Sequence, residues 1–428
     1  MNATTPEESY RQEHTRYQTL LALLQKKRRQ LGWIRLAVFL VMLIAAYETF
    51  TRVGVAGLIP TVIGVGLLLY LVSVDVANNK KIRHTKTLIQ VNEEELQVLH
   101  HDFLAREDGQ HFLQHEHAYA NDLDIFGKAS VYQWLSRCYT EQGRQLLAAN
   151  LLEPLPLNHI LARQEVVKEL APNLEWRQQW QAFSMQTTVT ISTQKKVQFW
   201  LNEEEEHFTS PAWKFILPVY TFISVGSAVA AILDFIPGSA FSTLFLFYLI
   251  MSLLLSRKAI KPSMHLNGIV KETATLQALI NSMEQLPVKS AHLQQLQQEI
   301  RGNTPSAGQE IKNLKIILDR FDLRNNFVGL LVFNSFLLWD VRQMIALNAW
   351  RKRNHPVVHK WFEAVAEMEV IHSLSTLYFN NGEWCFPTFV PQHFSVSGTS
   401  IGHPLLPARQ RVNNDFTLEG LAKVELIT

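Results

Sequence analysis

The chain has 428 residues, a formal net charge of +2 and two cysteines, Cys138 and Cys385, with a pI of about 8.4. That length accommodates two or more domains, and the near balance of charge excludes a general polyanion-binding surface, so any DNA contact must come from a local patch. Two cysteines exclude a disulfide framework and fit a reducing cytoplasm.

Residues 1–30 are polar and read as an N-terminal helix, with apolar residues at Tyr17, Leu20, Leu21 and Leu24, a helical spacing. They end in Lys26-Lys27-Arg28-Arg29, without the early apolar stretch and small-residue cleavage site of a signal peptide. Leu31 to Phe50 is apolar apart from Arg35 and Glu48, and Val53 to Val74 holds no charge over 22 residues. A bilayer core takes about 20 apolar helical residues, so 31–77 reads as a transmembrane hairpin. A buried hairpin in a soluble core is the competing reading, and a long charge-free run argues against it. Lys80-Lys81-Ile82-Arg83 follows, so basic residues flank both outer ends of the hairpin, and the positive-inside bias places those ends in the cytoplasm.

Residues 78–120 read as a helical linker; the stretch 85–118 reads as helix and holds five histidines: His100, His101, His111, His115 and His117. His111 and His115 have metal-ligand spacing. No carboxylate or cysteine cluster completes such a site, so a solvated helix surface is expected and no metal. Farther on come Asn121-Asp122-Leu123-Asp124-Ile125-Phe126-Gly127, then Thr140-Glu141-Gln142-Gly143-Arg144-Gln145-Leu146-Leu147, Pro154-Leu155, and Ile160 with Arg163 and Val167. Gly143 lies between two helical patterns, and Pro154 and Pro156 end the second. Leu146, Leu147, Asn150 and Leu151 share a helix face. All of this reads as packing, with no catalytic constellation.

Glu203 to Glu206 reads as a solvated helix end. Phe215 to Leu233 and Ile236 to Leu255 are charge-free apart from Asp234 at the turn, with Pro237-Gly238 beside it and Arg257-Lys258 and Lys261 after them. Residues 213–256 therefore read as a second membrane hairpin with a cytoplasmic basic exit. Asp234 is then an interfacial residue and not a buried proton carrier. Residues 262–378 read as long helices interrupted by a loop at Gly302 to Gly308. Phe327 to Trp339 is too short to span comfortably and is expected to be a buried core helix. Trp350-Arg351-Lys352-Arg353-Asn354-His355 is the most basic patch of this half, read as a solvated helix end with phosphate contact as the sharper alternative.

The last stretch carries Glu369 with Ser373-Leu374-Ser375, Phe386-Pro387, Gly402-His403-Pro404-Leu405, Arg411 to Phe416, and the β-branched run Val424-Glu425-Leu426-Ile427-Thr428. With the motifs of 121–167, this order and spacing resembles the MutS family of DNA mismatch repair ATPases. There, T-x-x-G-R-x-L-L, a P-L pair and I-x-x-R-x-x-x-V open the core or lever domain, and E-x-x-x-S-L-A leads the lever helix into the ATPase domain. A G/R-H-P element, an N-D element and a strand ending in I-T precede the phosphate-binding loop. The resemblance covers roughly 121–210 and 262–428. It departs from the family in Ser375, where alanine is usual, and in lacking any Phe-x-Glu mismatch wedge. Its second hairpin sits where the DNA clamp normally interrupts the core. It points to a membrane-anchored branch of MutS-like proteins.

What the resemblance implies is a mainly α fold: four transmembrane helices, a MutS-like core in two parts (121–210 and 262–378), and over 379–428 the first β-strands of a P-loop α/β domain. It places Arg411, Val412, Asn414 and Asp415 near an adenine. No G-x-x-x-x-G-K-[ST] occurs in the 428 residues, and Gly127-Lys128-Ala129-Ser130 is only an echo of it. The chain is accordingly expected to stop short of its phosphate cradle. ATP and Mg2+ then belong to a complete protein, none is expected in this chain, and no catalytic residue is assigned. The expected partners are the lipid bilayer of the cytoplasmic membrane, a second copy in a homodimer, and DNA. A membrane scaffold that uses the core for dimerisation alone is the rival reading. A solute transporter ranks last, because the spans lack a central carboxylate, lysine or histidine.

Overall fold

The computed structural model describes residues 5–114, 116–203, 208–264, 266, 269–302, 306–322, 329–391, 394–407 and 409–421. His115, most of the Glu203–Glu206 run, Pro305, the start of the run from Phe327, and Val424 to Thr428 lie outside them. The helices are α1 (Pro6–Val53), α2 (Leu58–Leu99), α3 (Val131–Leu135), α4 (Glu141–Leu152), α5 (Leu157–Leu170), α6 (Leu174–Ser184), α7 (Ile191–Asn202), α8 (Trp213–Ile232) and α9 (Gly238–Met264). After them come α10 (Val270–Gln285), α11 (Ala291–Arg301), α12 (Ala307–Asp322), the short α13 (Ser335–Leu337), α14 (Trp339–Asn354) and α15 (Val358–Asn380). Two strands, β1 (Ser395–Ile401) and β2 (Asn414–Glu419), pair antiparallel with an irregularity between Gly398 and Ile401. The fold is mainly α.

Two compact units result, one of Met1–Leu135, Asn173–Ala182 and Thr376–Thr428, the other of Ser136–Pro172 and Phe183–Ser375. In the first unit, Thr5 and Glu8 make a capping box and Pro6 opens α1, which satisfies donors that the first turn leaves orphaned. From there α1 runs 48 residues without interruption, about 72 Å, turns over Gly54–Gly57 and returns as α2. A Cβ on Gly64 would enter the Met42 side chain, and one on Gly57 the Phe50 ring, so these glycines let the two helices approach closely. Arg35 and Arg28 both face Asp75, at 3.4 and 3.8 Å, and Glu48 pairs with Arg52 at 2.7 Å. The few charges of the hairpin thus pair with one another, toward its two ends.

Three helical segments are long and apolar enough to cross a bilayer: the folded-back Pro6–Leu99 segment, Trp213–Ile232 and Gly238–Lys258. Only 11% of the most apolar window of each is buried inside the protein. A hairpin at the centre of a soluble core would be buried, so that reading is disfavoured. Trp33, Tyr47, Ile59 and Val62 in the first hairpin and Phe215, Phe222 and Ile232 in the second are all exposed, so each hairpin presents large apolar side chains outward.

Some elements depart from expectation. Helix α2 stops at Leu99, and the described residues of 100–118 are turns and irregular chain with one 3-10 segment, Gln110–Phe112; His101 at φ 61° ends the helix in the left-handed region. The run expected as one core helix over 327–339 is broken: a π-helical turn spans Gly329–Asn334, and Leu338 sits at φ 49° between α13 and α14. Its Val332 and Phe333 are exposed.

Candidate functional site

In the second unit, helix N-termini are closed by carboxylates from distant parts of the chain. Glu169 accepts from the Lys289 and Ser290 amides ahead of α11 at 2.6 and 2.8 Å. Glu272 accepts from the Thr190 amide ahead of α7 at 2.9 Å. Glu284 accepts from Ser306 Oγ and the Ala307 amide at the start of α12. Each arrangement satisfies orphaned donors and places negative charge at the positive end of a helix dipole. These acids hold helices together and are not free for proton transfer.

The most buried member of this set is Glu369, at 0% exposure on α15. Its carboxylate accepts from the Tyr139 amide at 3.0 Å, the Thr140 amide at 3.1 Å and Thr140 Oγ1 at 2.5 Å. Thr140 Oγ1 in turn accepts from the Gly143 amide at 3.0 Å, capping α4. One turn along α15, Ser373 Oγ accepts from the Arg137 amide at 2.9 Å. Arg144 reaches back from α4 to donate to the Cys138 carbonyl at 3.1 Å. A Cβ on Gly143 would collide with Glu369 Oε2, so the position needs glycine for close approach and not for an unusual φ. The threonine, glycine and arginine of the segment 140–147 and the glutamate and serine of 369–375 therefore meet at one junction.

Electrostatics at the junction follow from burial. Burial pushes the Glu369 carboxyl up to about 7, against the opposing pull of its three donors and of Arg144. Burial, with the Glu369 charge adding to it, pushes the Cys138 thiol well up, which removes thiolate character and any role as a nucleophile. Two residues before Glu369, and so on a different face of α15, Glu367 makes a bidentate pair with Arg163, at 2.8 and 2.9 Å, and lies 3.5 Å from His292. Burial raises the Glu367 carboxyl, but the His292 hydrogen bond and the Arg163 guanidinium outweigh it and hold it below its ordinary value.

Beside this pair opens a cleft of about 750 Å³ between α4, α5, α7, α11 and α15. Arg163, Lys195 and Lys360 line it together with Glu299, Glu363 and Glu367, so its wall is balanced in charge. Sequence reading missed the cleft, because nothing in the local pattern of Lys195 or Lys360 marks them as neighbours. It contains no pairing of a nucleophile with a base. Among the described residues, no group of three His, Cys, Asp or Glu could hold a metal ion.

The four residues expected beside adenine lie in the first unit around the β1–β2 hairpin. Arg411 stands 5.7 Å from the centre of the Trp384 ring, and burial followed by the Arg411 charge depresses the His101 imidazole. Val412 is 76% exposed. Asn414 opens β2 opposite Ile401, and Asp415 Oδ1 accepts from the Ser400 amide at 2.8 Å. The guanidinium is thus on an indole and the carboxylate is an acceptor within the hairpin.

The basic patch at 350–355 is resolved into internal contacts. Arg351 is buried and donates to the Trp200 and Glu203 carbonyls at 3.2 and 2.6 Å, closing the C-terminus of α7. Trp350 Nε1 donates to the Glu310 carbonyl and Arg353 lies 3.4 Å from the Glu310 carboxylate. Trp350, Arg351 and Asn354 are therefore structural, while Lys352, Arg353 and His355 are exposed, as a solvated helix end would have them. Compared with protein-family models, with curated proteins and with solved structures, the chain matches none of them.

Proposed function

We infer that this chain is a membrane-anchored, MutS-like protein of the DNA mismatch repair ATPase type, carrying the core and lever of a nucleotide-driven machine without its phosphate-binding loop. The observation that carries this reading is the Glu369 junction. Motifs recognised separately, more than 200 positions apart in the chain, supply the two halves of one buried cluster, as parts of one core domain should. The element leaving that cluster is α15, whose residues 358–375 belong to one unit and 376–380 to the other.

The end of α15 is in turn bonded to the anchor. Asn380 accepts from Tyr10 of α1 at 2.8 Å and donates to Glu95 of α2 at 3.1 Å, and Phe379 contacts Tyr10 and Arg177. A displacement of the lever helix would therefore reach the paired helices that enter the bilayer. In this reading two helical hairpins make four crossings, with both outer ends and their basic residues in the cytoplasm. Two copies associate through the core, and DNA is the candidate substrate of the complete machine. No step is assigned to ATP or Mg2+ here.

The test is to read the coding sequence after Thr428 and assay the protein it specifies, reconstituted in liposomes. A glycine-rich loop with Lys-Ser/Thr, and ATP hydrolysis lost on changing that lysine to alanine, would support the reading. A stop codon, or a continuation without the loop, would remove it. The second reading, a membrane scaffold that uses the core for self-association, would then stand, and the web of carboxylate-capped helices is compatible with such a static part.

A further inference from the structure

The broken segment 329–338 packs on the second hairpin in a way that a soluble helix would not need. The break at Leu338 leaves backbone carbonyls without helical partners, yet those of three consecutive residues are covered by side chains. Tyr220 donates to the Ser335 carbonyl at 2.6 Å, Ser224 to the Phe336 carbonyl at 2.7 Å and Arg342 to the Leu337 carbonyl at 2.8 Å. The Asn334 and Leu338 carbonyls accept from the Leu338 and Arg342 amides. Two of the three side-chain donors belong to α8. The side chains left facing outward, Val332 and Phe333, are apolar.

Residue position gives the depth. Ser224 lies eleven residues into α8, about 16 Å along a helix of about 30 Å, so the Phe336 carbonyl is near its mid-height. The Phe336 ring stands 5.7 Å from Phe245 and 6.4 Å from Tyr248, residues from the middle of the apolar part of α9. Asn334 and Asp340 flank this deepest point on either side. Asn334 Nδ2 donates to Asp340 Oδ2 at 3.0 Å and to Ser256 Oγ at 2.7 Å, and Ser256 directly precedes Arg257-Lys258 at the basic end of α9. The segment thus goes in and comes out on the same side.

We propose that residues 329–338 form a re-entrant membrane segment, seated on the second hairpin, that reaches the middle of the bilayer and returns to the basic side. Val332 and Phe333 face acyl chains. Irregular backbone is tolerated at that depth only where its polar groups are satisfied from within the protein, which is what Tyr220, Ser224 and Arg342 do. The occupant of the exposed face is lipid, because the face continues the apolar surface of α8 and α9. The proposal rests on the second hairpin crossing a bilayer.

The test uses the full chain in liposomes, with Cys385→Ser removing the exposed thiol while buried Cys138 remains. Spin labels are placed singly at Val332→Cys, Phe333→Cys, the exposed mid-span Phe222→Cys and the exposed helical Gln295→Cys. Collision with oxygen, which partitions into lipid, is compared with collision with a water-soluble nickel chelate. The labels at 332 and 333 should match the Phe222 label, with high oxygen and low nickel collision. Matching the Gln295 label overturns the proposal, as does low collision with both reagents, since a protein neighbour then covers the face. An aqueous Phe222 label instead removes the spanning hairpin itself, a different failure.

Discussion

Replacing Gly143 by alanine separates two forces of opposite sign. In an exposed helix interior the change stabilises by about 1 kcal/mol, because glycine has more backbone freedom to lose. Here the new Cβ would collide with Glu369 Oε2 and stand 3.0 Å from both Glu369 Cβ and Thr140 Oγ1. The carboxylate has nowhere to retreat without leaving the Tyr139 and Thr140 donors, and hydrogen bonds to a charged group are worth about 1.5–3 kcal/mol each. Loss of one or two, offset by the propensity gain, gives a net destabilisation of about 2–4 kcal/mol. The readout is native-state hydrogen exchange of the amides in the first turn of α4 at pH 8, where Glu369 is charged. It measures local opening without assuming that a protein of two units unfolds in one step. Exchange should accelerate roughly 30- to 1,000-fold. In a Glu369→Ala background the same Gly143→Ala change should be neutral or protective, because nothing remains to collide with. A Gly143→Ala variant that slows exchange beside an intact Glu369 would refute the junction as described.

Titration of Glu369 gives a second test. Its folded value of about 7 lies above the ordinary 4.5, so the contribution is fully present below pH 4.5, is lost as pH rises to about 7, and is then level, a fall of about 3 kcal/mol. Glu369→Gln should lack this slope, and parallel pH profiles for the two proteins would count against it. Arg163→Met leaves buried Glu367 with His292 alone and should destabilise the second unit by about 3 kcal/mol; an unchanged melting profile would show the pair to be dispensable. Arg35→Ala leaves Asp75 with Arg28 alone, 3.8 Å away, and should cost about 1 kcal/mol in detergent, little because Arg35 is a third exposed. The reciprocal exchange Arg35→Asp with Asp75→Arg should recover much of that loss, and an exchange no better than the single change would show that the two do not act as a pair.

The parts legible in the sequence are those fixed by local composition. Charge-free runs of 18 residues or more announced both hairpins, because the thickness of a bilayer sets a length that one stretch of chain must meet alone. Asp234, placed at a turn by the neighbouring Pro237-Gly238, is found there at φ 61°. Positions decided by remote partners were not legible. Glu369 and Thr140 were each noticed within a motif, yet neither pattern says that the two bond to one another. Arg351 looked solvated because helix ends rich in cations normally are, whereas the open C-terminus of α7 draws it inside. The break at Leu338 was invisible because α8, and not the local sequence, supplies the donors that make a broken helix tolerable there. Along 100–118 the composition still suits a helix, and the chain turns away from it at His101.

The 48-residue length of α1 has a consequence for how the protein searches its surroundings. About half of α1 is the apolar run, and the polar half that precedes it is joined to it with no coil between, as the polar end of α2 is joined to its own apolar part. A tether of flexible chain lets its cargo sweep a volume that grows with linker length. On the proposed anchoring in a bilayer, a pair of unbroken helices behaves as a strut, setting one height above the lipid and one heading relative to it. Anything that meets the Tyr10 and Asn380 end of this strut is met at that fixed height, so encounter becomes a two-dimensional search across the membrane plane. Inserting a few glycines into both helices, near Gln30 of α1 and near Asn79 of α2, would restore the third dimension while leaving the contacts within the hairpin's apolar part in place.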